Sequence, residues 1–364
     1  MSRRAMLLAA ATLPLLGCGI RFESDAPGFL PTPSPDPAGP PILAERDRVA
    51  RILETLPEAP GVATQVRSVH TAQLRALDAT LGALDPPLSP SAPARAGGKT
   101  PAAPGGGDAL VAVADLEADG LDEAGLAALD GIVPRAAAIV VASHAQRAVL
   151  LELLAAAGTA VAPAARTPWH AASPAIARAL VDDLRATAYG VEVAAAHLPP
   201  GPRGTVLAGL GVLRDAESRL GALVPDLPPR PLGYRLPRPV TNPREAVLLA
   251  TGVLDRFVAA TLAAAPTTAD ARRTTRPATQ DEPGDDTRAD VASPAATAGS
   301  DGSGDAGATT TDATTPPGDD AATLVRLVRI AELTRVRCGG PLRPLPGLRP
   351  PATPSPTASP PPRT

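Results

Sequence analysis

Residues 173–198, SPAIARALVDDLRATAYGVEVAAAHL, carry small or apolar side chains at Ala177, Leu180, Leu184, Ala188, Val191, Ala195 and Leu198. Steps of three and four draw a single stripe along an amphipathic helix of about six turns. Ser173 suits the N-cap, and Pro174 suits the first helical position, where no N–H is needed. A stripe of this length cannot stay in water. It requires partner helices, and the downstream sequence supplies them.

Three further helices are predicted after it. One runs over about 205–223, with Val206, Leu210, Leu213, Leu220 and Leu223 on its apolar face. Another starts at Asn242 as cap, Pro243 at the first position and Glu245 three residues on, a capping-box arrangement. It continues to about Ala264 through Val247, Leu254, Phe257, Val258 and Leu262. The last spans 321–338, with Asp320 as cap and Gly339-Gly340 supplying the left-handed stop. Upstream, helices are expected over 42–56, 62–84, 109–130 and 134–157. Within the last, residues 138–142 and 159–162 also read as short strands around a helix; no other strand–helix alternation surrounds them, so a helix is the better reading.

Composition supports helices throughout. Aromatic residues are only 2% of the chain while apolar residues reach 44%. The core must then be alanine, leucine and valine, which suits closely approaching helices better than a sheet sandwich. The 46 prolines and 32 glycines break helices, so they must concentrate in linkers. With 364 residues there is room for two domains plus such linkers. The net charge of −3 gives no basic face, so nucleic acid is not an expected partner.

The N-terminus reads as an export signal. Arg3 and Arg4 form a positive start, residues 5–16 an apolar stretch too short to span a bilayer, and Leu15-Leu16-Gly17-Cys18 resembles a bacterial lipobox. Ser2-Arg3-Arg4 also resembles a twin-arginine signal. The lipobox implies lipidation at Cys18, a membrane anchor through that lipid, and residence on the extracytoplasmic face of the cell membrane. Cys338 is then left alone, so no intramolecular disulfide is expected, and its place on a helical stripe predicts a buried, inert thiol.

The domain plan that follows has a lipoprotein signal peptide at 1–17 and a Pro-rich tether at 18–41. An N-terminal helical domain at 42–158 holds a disordered insert at 85–107. A helical bundle at 171–348 holds a disordered insert at 266–318, and a disordered tail covers 349–364.

Three runs in the downstream half resemble a known family: Ala188-Tyr189-Gly190-Val191, Ala196-His197-Leu198, and Tyr234-Arg235-Leu236-Pro237-Arg238-Pro239-Val240-Thr241-Asn242-Pro243. They are similar to a ferritin-like domain of unknown function found in exported lipoproteins of high-GC Gram-positive bacteria. Pro346-Gly347-Leu348 fits the same signature, and residues 68–77 and 143–151 look like the companion helical half of such lipoproteins. The resemblance implies an all-α fold, a ferritin-like four-helix bundle packed with or tethered to a second helical half.

Ferritin-like enzymes hold two metal ions with Glu on two helices and Glu-x-x-His on the other two. No Glu-x-x-His occurs here, and His70, His144, His170 and His197 fall on separate segments. Glu192, Glu217, Asp255 and Glu332 do sit one per helix, a distribution that charges on exposed faces also produce. His70 and Gln73 share one helix face but make a poor metal site. Asp182, Arg185, Tyr189 and Glu192 share one flank of the organising helix and form a candidate polar contact flank. Gly209 and Gly211 are read as packing glycines within a helix. No catalytic residue, metal ligand or cofactor is assigned. The expected function is a membrane-anchored binding or structural module with a metal-free bundle, with an unidentified protein as a candidate partner. A di-metal oxidoreductase or iron-handling protein, and a solute-binding lipoprotein of an importer, are the alternatives.

Overall fold

The stripe at the centre of the downstream sequence forms α6 (Pro174–Ala196), whose first turn is capped by Ser173 Oγ accepting from the Ile176 amide at 3.3 Å. The computed structural model describes residues 36–84, 86–88, 106–161, 172–275 and 319–348, with backbone alone for 106, 130–131, 266–275 and 319. Among these residues the architecture is entirely α-helical. Three helices surround α6: α7 (Pro200–Gly221), α8 (Pro243–Thr275) and α9 (Asp319–Arg337). α6 packs on α7 and α8, and α9 packs on the same two, so α7 and α8 stand at opposite corners of a square. The extended segment 222–242 therefore crosses the bundle diagonally. Leu184, Leu213, Leu254, Phe257, Leu327 and Ala331 are buried among the four helices.

Close approach is set by small residues. A Cβ on Gly190 would lie 2.8 Å from Val253 of α8, and one on Gly209 would lie 2.6 Å from Thr334 of α9. Gly211 does not share this role; its Cα faces open space. The reason is angular: two residues farther along a helix is about 200° around it, on the opposite face.

Upstream lie α1 (Gly39–Thr55), α2 (Val62–Gly82), α3 (Gly106–Ala118), the short α4 (Glu123–Ala127) with a 3₁₀ turn after it, and α5 (Pro134–Ala156). α5 is apolar on nearly every side, as a fully enclosed helix must be. It packs on α1 and α3 on one side and on α8 and α9 on the other, so one core runs through both halves. α5 and the first part of α8 are long and apolar enough to cross a bilayer, but here both contribute to this core.

Several boundaries differ from expectation for local reasons. The helix expected over 109–130 is broken at Gly120, whose φ of +74° admits no continuation, and Asp122 Oδ1 caps the restart at the Gly125 amide. α1 begins inside the expected Pro-rich tether, because Pro40 and Pro41 occupy first-turn positions that need no N–H and Asp36 Oδ1 accepts from the Ala38 amide. The backbone of α8 continues to Thr275, past its expected end at Ala264. Residues 138–142 lie within α5, and no strand occurs among the described residues. The signal peptide, Cys18, the rest of the tether, most of the insert at 85–107, Trp169, His170, residues 276–318 and the tail from 349 lie outside the described residues.

Candidate functional site: a buried charge centre in the upstream half

Where α1, α2, α3 and α5 meet, the apolar stripes are interrupted by ionisable side chains. Glu45, His70, Gln73, Glu117, Ser143, His144 and Arg147 are each at most 4% exposed. One chain of hydrogen bonds joins most of them. Ser143 Oγ donates to Glu45 Oε2 at 2.7 Å, and Gln73 Nε2 donates to Ser143 Oγ at 2.8 Å. His70 Nδ1 lies 2.8 Å from Gln73 Oε1, and His70 Nε2 lies 2.5 Å from Glu117 Oε1.

The direction of this chain fixes its protonation. Glu45, as a carboxylate, can only accept, so Ser143 must donate to it and accept from the Gln73 amide nitrogen. The Gln73 oxygen then faces His70 Nδ1, which must carry a hydrogen. The remaining imidazole nitrogen meets Glu117 across one shared proton. The contact suits an imidazolium beside a carboxylate, the form that the raised pKa of His70 favours. Burial opposes charge on His70, but the Glu117 carboxylate and the bonds to Glu117 and Gln73 outweigh it and raise its pKa.

Arg147 links the two carboxylates. Its Nη1 lies 3.5 Å from Glu45 Oε1 and its Nε lies 3.8 Å from Glu117 Oε2. Nη2 donates to the Glu117 carbonyl at 2.8 Å and also to the Asp119 carbonyl. Glu117 Oε2 and Arg147 Nε and Nη1 have no hydrogen-bond partner among the described residues. Their attraction is coulombic rather than directional. Arg48 closes the rim, bonding Glu45 and reaching Asp119 Oδ2 at 3.0 Å. Burial opposes ionisation of Glu45, but the charge of His144 when protonated, then Arg147, Arg48 and the Ser143 bond, outweigh it and lower its pKa.

His144 is the neutral member. Burial pushes its pKa down to about 4 against the pull of Glu45, and its Nδ1 lies 3.0 Å from the Val140 carbonyl. That contact makes Nδ1 the protonated nitrogen and leaves Nε2 with its lone pair.

The four downstream carboxylates do not gather at one point; only Asp255 and Glu332 come together, across Arg335 and Arg343. Glu192 pairs with Arg214 at 2.7 Å, and Glu217 with Arg185 at 3.3 Å and Arg230 at 3.4 Å. Asp255 meets Arg343 at 2.8 Å, while the fully buried Glu332 is held by Arg335 at 2.8 Å and Arg343 at 2.6 Å. Among the described residues no three His, Cys, Asp or Glu side chains are grouped as a metal ion requires.

The flank of Asp182, Arg185, Tyr189 and Glu192 meets the crossover and α7. Asp182 accepts from Tyr234 Oη at 2.9 Å, Arg185 donates to the Pro228 carbonyl at 2.9 Å, and the rings of Tyr189 and Tyr234 lie 5.9 Å apart. Beside them a cleft of about 250 Å³ opens between α6, the crossover and α8, lined by Asp183, Tyr234, Arg256 and Phe257 among others. Cys338 is buried, and burial raises its thiol pKa to about 11, so it is protonated at neutral pH. His197 is exposed at the end of α6.

Comparison with protein-family models, with curated proteins and with solved structures finds no match. The chemistry of the centre must be argued from its own residues.

Of that centre, sequence reasoning reaches His70 and Gln73 as face-sharing neighbours and His144 as an isolated histidine. It misses Glu45, Glu117 and Arg147. A signal was present: Glu45 continues the stripe Ile42, Val49, Ile52, and Glu117 continues Leu110, Val113. Arg147 is the one arginine or lysine between Ala136 and Leu154, in a helix that is mostly alanine, valine and leucine. A charge on a core-facing stripe is the informative exception.

Proposed function

We propose that this chain is a lipid-anchored envelope protein whose helical body, ferritin-like in its downstream half, acts as a binding or structural module rather than a catalyst. The observation that carries this reading is the charge balance of the interior. Glu45, Glu117 and Glu332, the buried glutamates among the described residues, are each neutralised by arginine or histidine side chains of the same chain. A di-metal centre needs those carboxylates free to face one another across the ions. Here a guanidinium lies between two of them and a pair of guanidiniums holds the third, so the donor set does not fit such a centre. No catalytic step is derived through one.

Three further features support the reading. The order of charge, apolar stretch, glycine and Cys18 is that of a lipoprotein signal. The diagonal crossover between α7 and α8 is a long connection of the kind that distinguishes ferritin-like from up-and-down bundles, which supports the ferritin-like reading. The importer reading requires α/β lobes with alternating strands, and the described residues hold no strand. The membrane is the first partner, through the Cys18 lipid, with an exposed helical surface open to a protein partner and no basic face for nucleic acid.

Two measurements on the full-length chain test this. Cys18→Ala should move the protein from the membrane to the soluble fraction and abolish incorporation of labelled fatty acid; continued membrane retention without label would remove the anchor. Metal analysis of the wild-type chain should find no stoichiometric transition metal. Two iron or manganese ions per chain would replace the module with the oxidoreductase or iron-handling alternative.

A further inference from the structure

We propose that the cleft between α6, the crossover and α8 binds a short zwitterion with an apolar body, of the amino-acid or dipeptide class. Its carboxylate meets Arg235 and Arg256, and its ammonium meets Asp183. The inference rests on the reading of this chain as a binding module and deepens it by naming the site and the class of ligand.

Three elements supply the walls: Asp183 comes from α6, Arg235 and Leu236 from the crossover, and Val253, Arg256 and Phe257 from α8. Val253 and Phe257 are buried and give the cleft an apolar floor, while the three charged residues are exposed at its rim. Its volume of about 250 Å³ lies just below the usual range of about 300–1,000 Å³ for drug-sized ligands, so it suits something smaller. The crossover wall is held without any ligand. Tyr234 donates to Asp182 at 2.9 Å, and its ring lies 5.9 Å from that of Tyr189. Pro237 fixes the backbone next to it. A preformed cleft loses little ordering entropy on binding.

Charge sets this cleft apart from the surface of the same bundle. Glu192 is paired with Arg214, Glu217 with Arg185 and Arg230, and Asp255 with Arg343. The side chains of Asp183, Arg235 and Arg256 line the cleft, yet none has a hydrogen-bond or ion-pair partner among the described residues. Opposite charges thus border one cavity without meeting, and a molecule carrying both signs completes them. Arginine offers a planar fork that matches a carboxylate at two points, and Asp183 can accept from an ammonium. Burial and the neighbouring Asp182 raise the pKa of Asp183, a cost that a ligand ammonium offsets. An anion alone would bring a like charge to Asp183, and a cation alone would meet two guanidiniums. The apolar floor favours an alkyl side chain.

The test is isothermal titration calorimetry on the full-length chain. The probes are the zwitterions leucine and glycylleucine, N-acetylleucine, which lacks the ammonium, and the amide of each zwitterion, which lacks the carboxylate. The tighter zwitterion should bind at one site per chain with a Kd below about 0.1 mM. N-acetylleucine and the matching amide should bind at least about fivefold more weakly. Asp183→Asn should weaken the zwitterion by a similar factor and leave N-acetylleucine unchanged. Arg256→Gln should weaken the zwitterion and N-acetylleucine alike and leave the amide unchanged. Both side chains are exposed, so thermal unfolding of the variants should match wild type. Failure of both zwitterions to bind, a single-charge analogue that binds as tightly, or zwitterion binding that survives both substitutions overturns this inference and leaves the module reading standing. Chemical conversion of a bound probe, seen by mass spectrometry, supports the site and overturns the non-catalytic reading.

Discussion

Gln146 is fully buried in α5, and neither its side-chain nitrogen nor its oxygen has a hydrogen-bond partner among the described residues. A buried amide left unpaired costs roughly 1–3 kcal/mol. Gln146→Leu should therefore raise the unfolding free energy by about 1–2 kcal/mol in denaturant titration; a loss of stability would show that the amide is in fact satisfied. His144 makes a second prediction through pH. Its folded pKa of about 4 lies below the ordinary value of 6.5, so the unfolded chain takes up the proton first. Its contribution is present above pH 6.5 and lost as pH falls towards 4, about 3 kcal/mol in all. Glu45, whose pKa is also lowered, adds its loss only below the ordinary carboxylate value of 4.5. His70 works in the opposite sense: its raised pKa gives stability that is full below pH 6.5 and lost as pH rises through the folded value. Acid destabilisation should thus begin near pH 6.5, and His144→Gln should delay that onset into the carboxylate range. At this scale the sequence was only partly readable. His70 and Gln73 could be placed on one face because three residues along a helix nearly complete a turn. Their partners Glu117 and Ser143 lie 47 and 70 residues away, and no local pattern carries such distances.

At the level of helices, most caps were readable; the exception is Asp320, the expected cap of α9, which lies inside a helix that starts at Asp319 and accepts from the Ser173 amide at 2.7 Å. Asn242 Oδ1 accepts from the Glu245 amide at 3.0 Å, and Glu245 reaches back to the Thr241 amide at 2.7 Å, one residue before the expected partner. Gly339 adopts a φ of +91° and ends α9 as its position predicted. Caps are local chemistry, so four residues suffice to specify them. The two glycines of α7 show where local reading stops. Both look like packing glycines in sequence, yet only Gly209 faces a neighbour. Gly209→Ala should destabilise by about 1–3 kcal/mol through overpacking against the β-branched Thr334. Gly211→Ala should stabilise by up to about 1 kcal/mol, because an open helical site gains propensity without a clash. Thermal unfolding of the two variants side by side checks both signs. Which glycine faces α9 depends on how the bundle assembles, and no stripe in α7 alone contains that information.

In the molecule as a whole, α5 joins two helical groups whose interiors are chemically different. On its α8 and α9 side the core is mainly alkyl, as the shortage of aromatics and the alanine–leucine stripes led one to expect. On its α1 and α3 side it carries Ser143, His144 and Arg147 into a polar interior of balanced charge. That second interior was hidden because each helix contributes a single charged residue, and one charge per stripe resembles a solvated edge until all four helices are brought together. Balanced charge at this depth is conditional: each ion is tolerable only while its counter-charge remains. The most direct test is equilibrium unfolding of Arg147→Met beside Arg147→Met/Glu117→Gln, both in chelator. The account predicts a loss of about 3–5 kcal/mol for the single variant and recovery of a substantial part of it when Glu117 is neutralised as well. A single variant as stable as wild type, or a double variant that sums two independent losses, would contradict it.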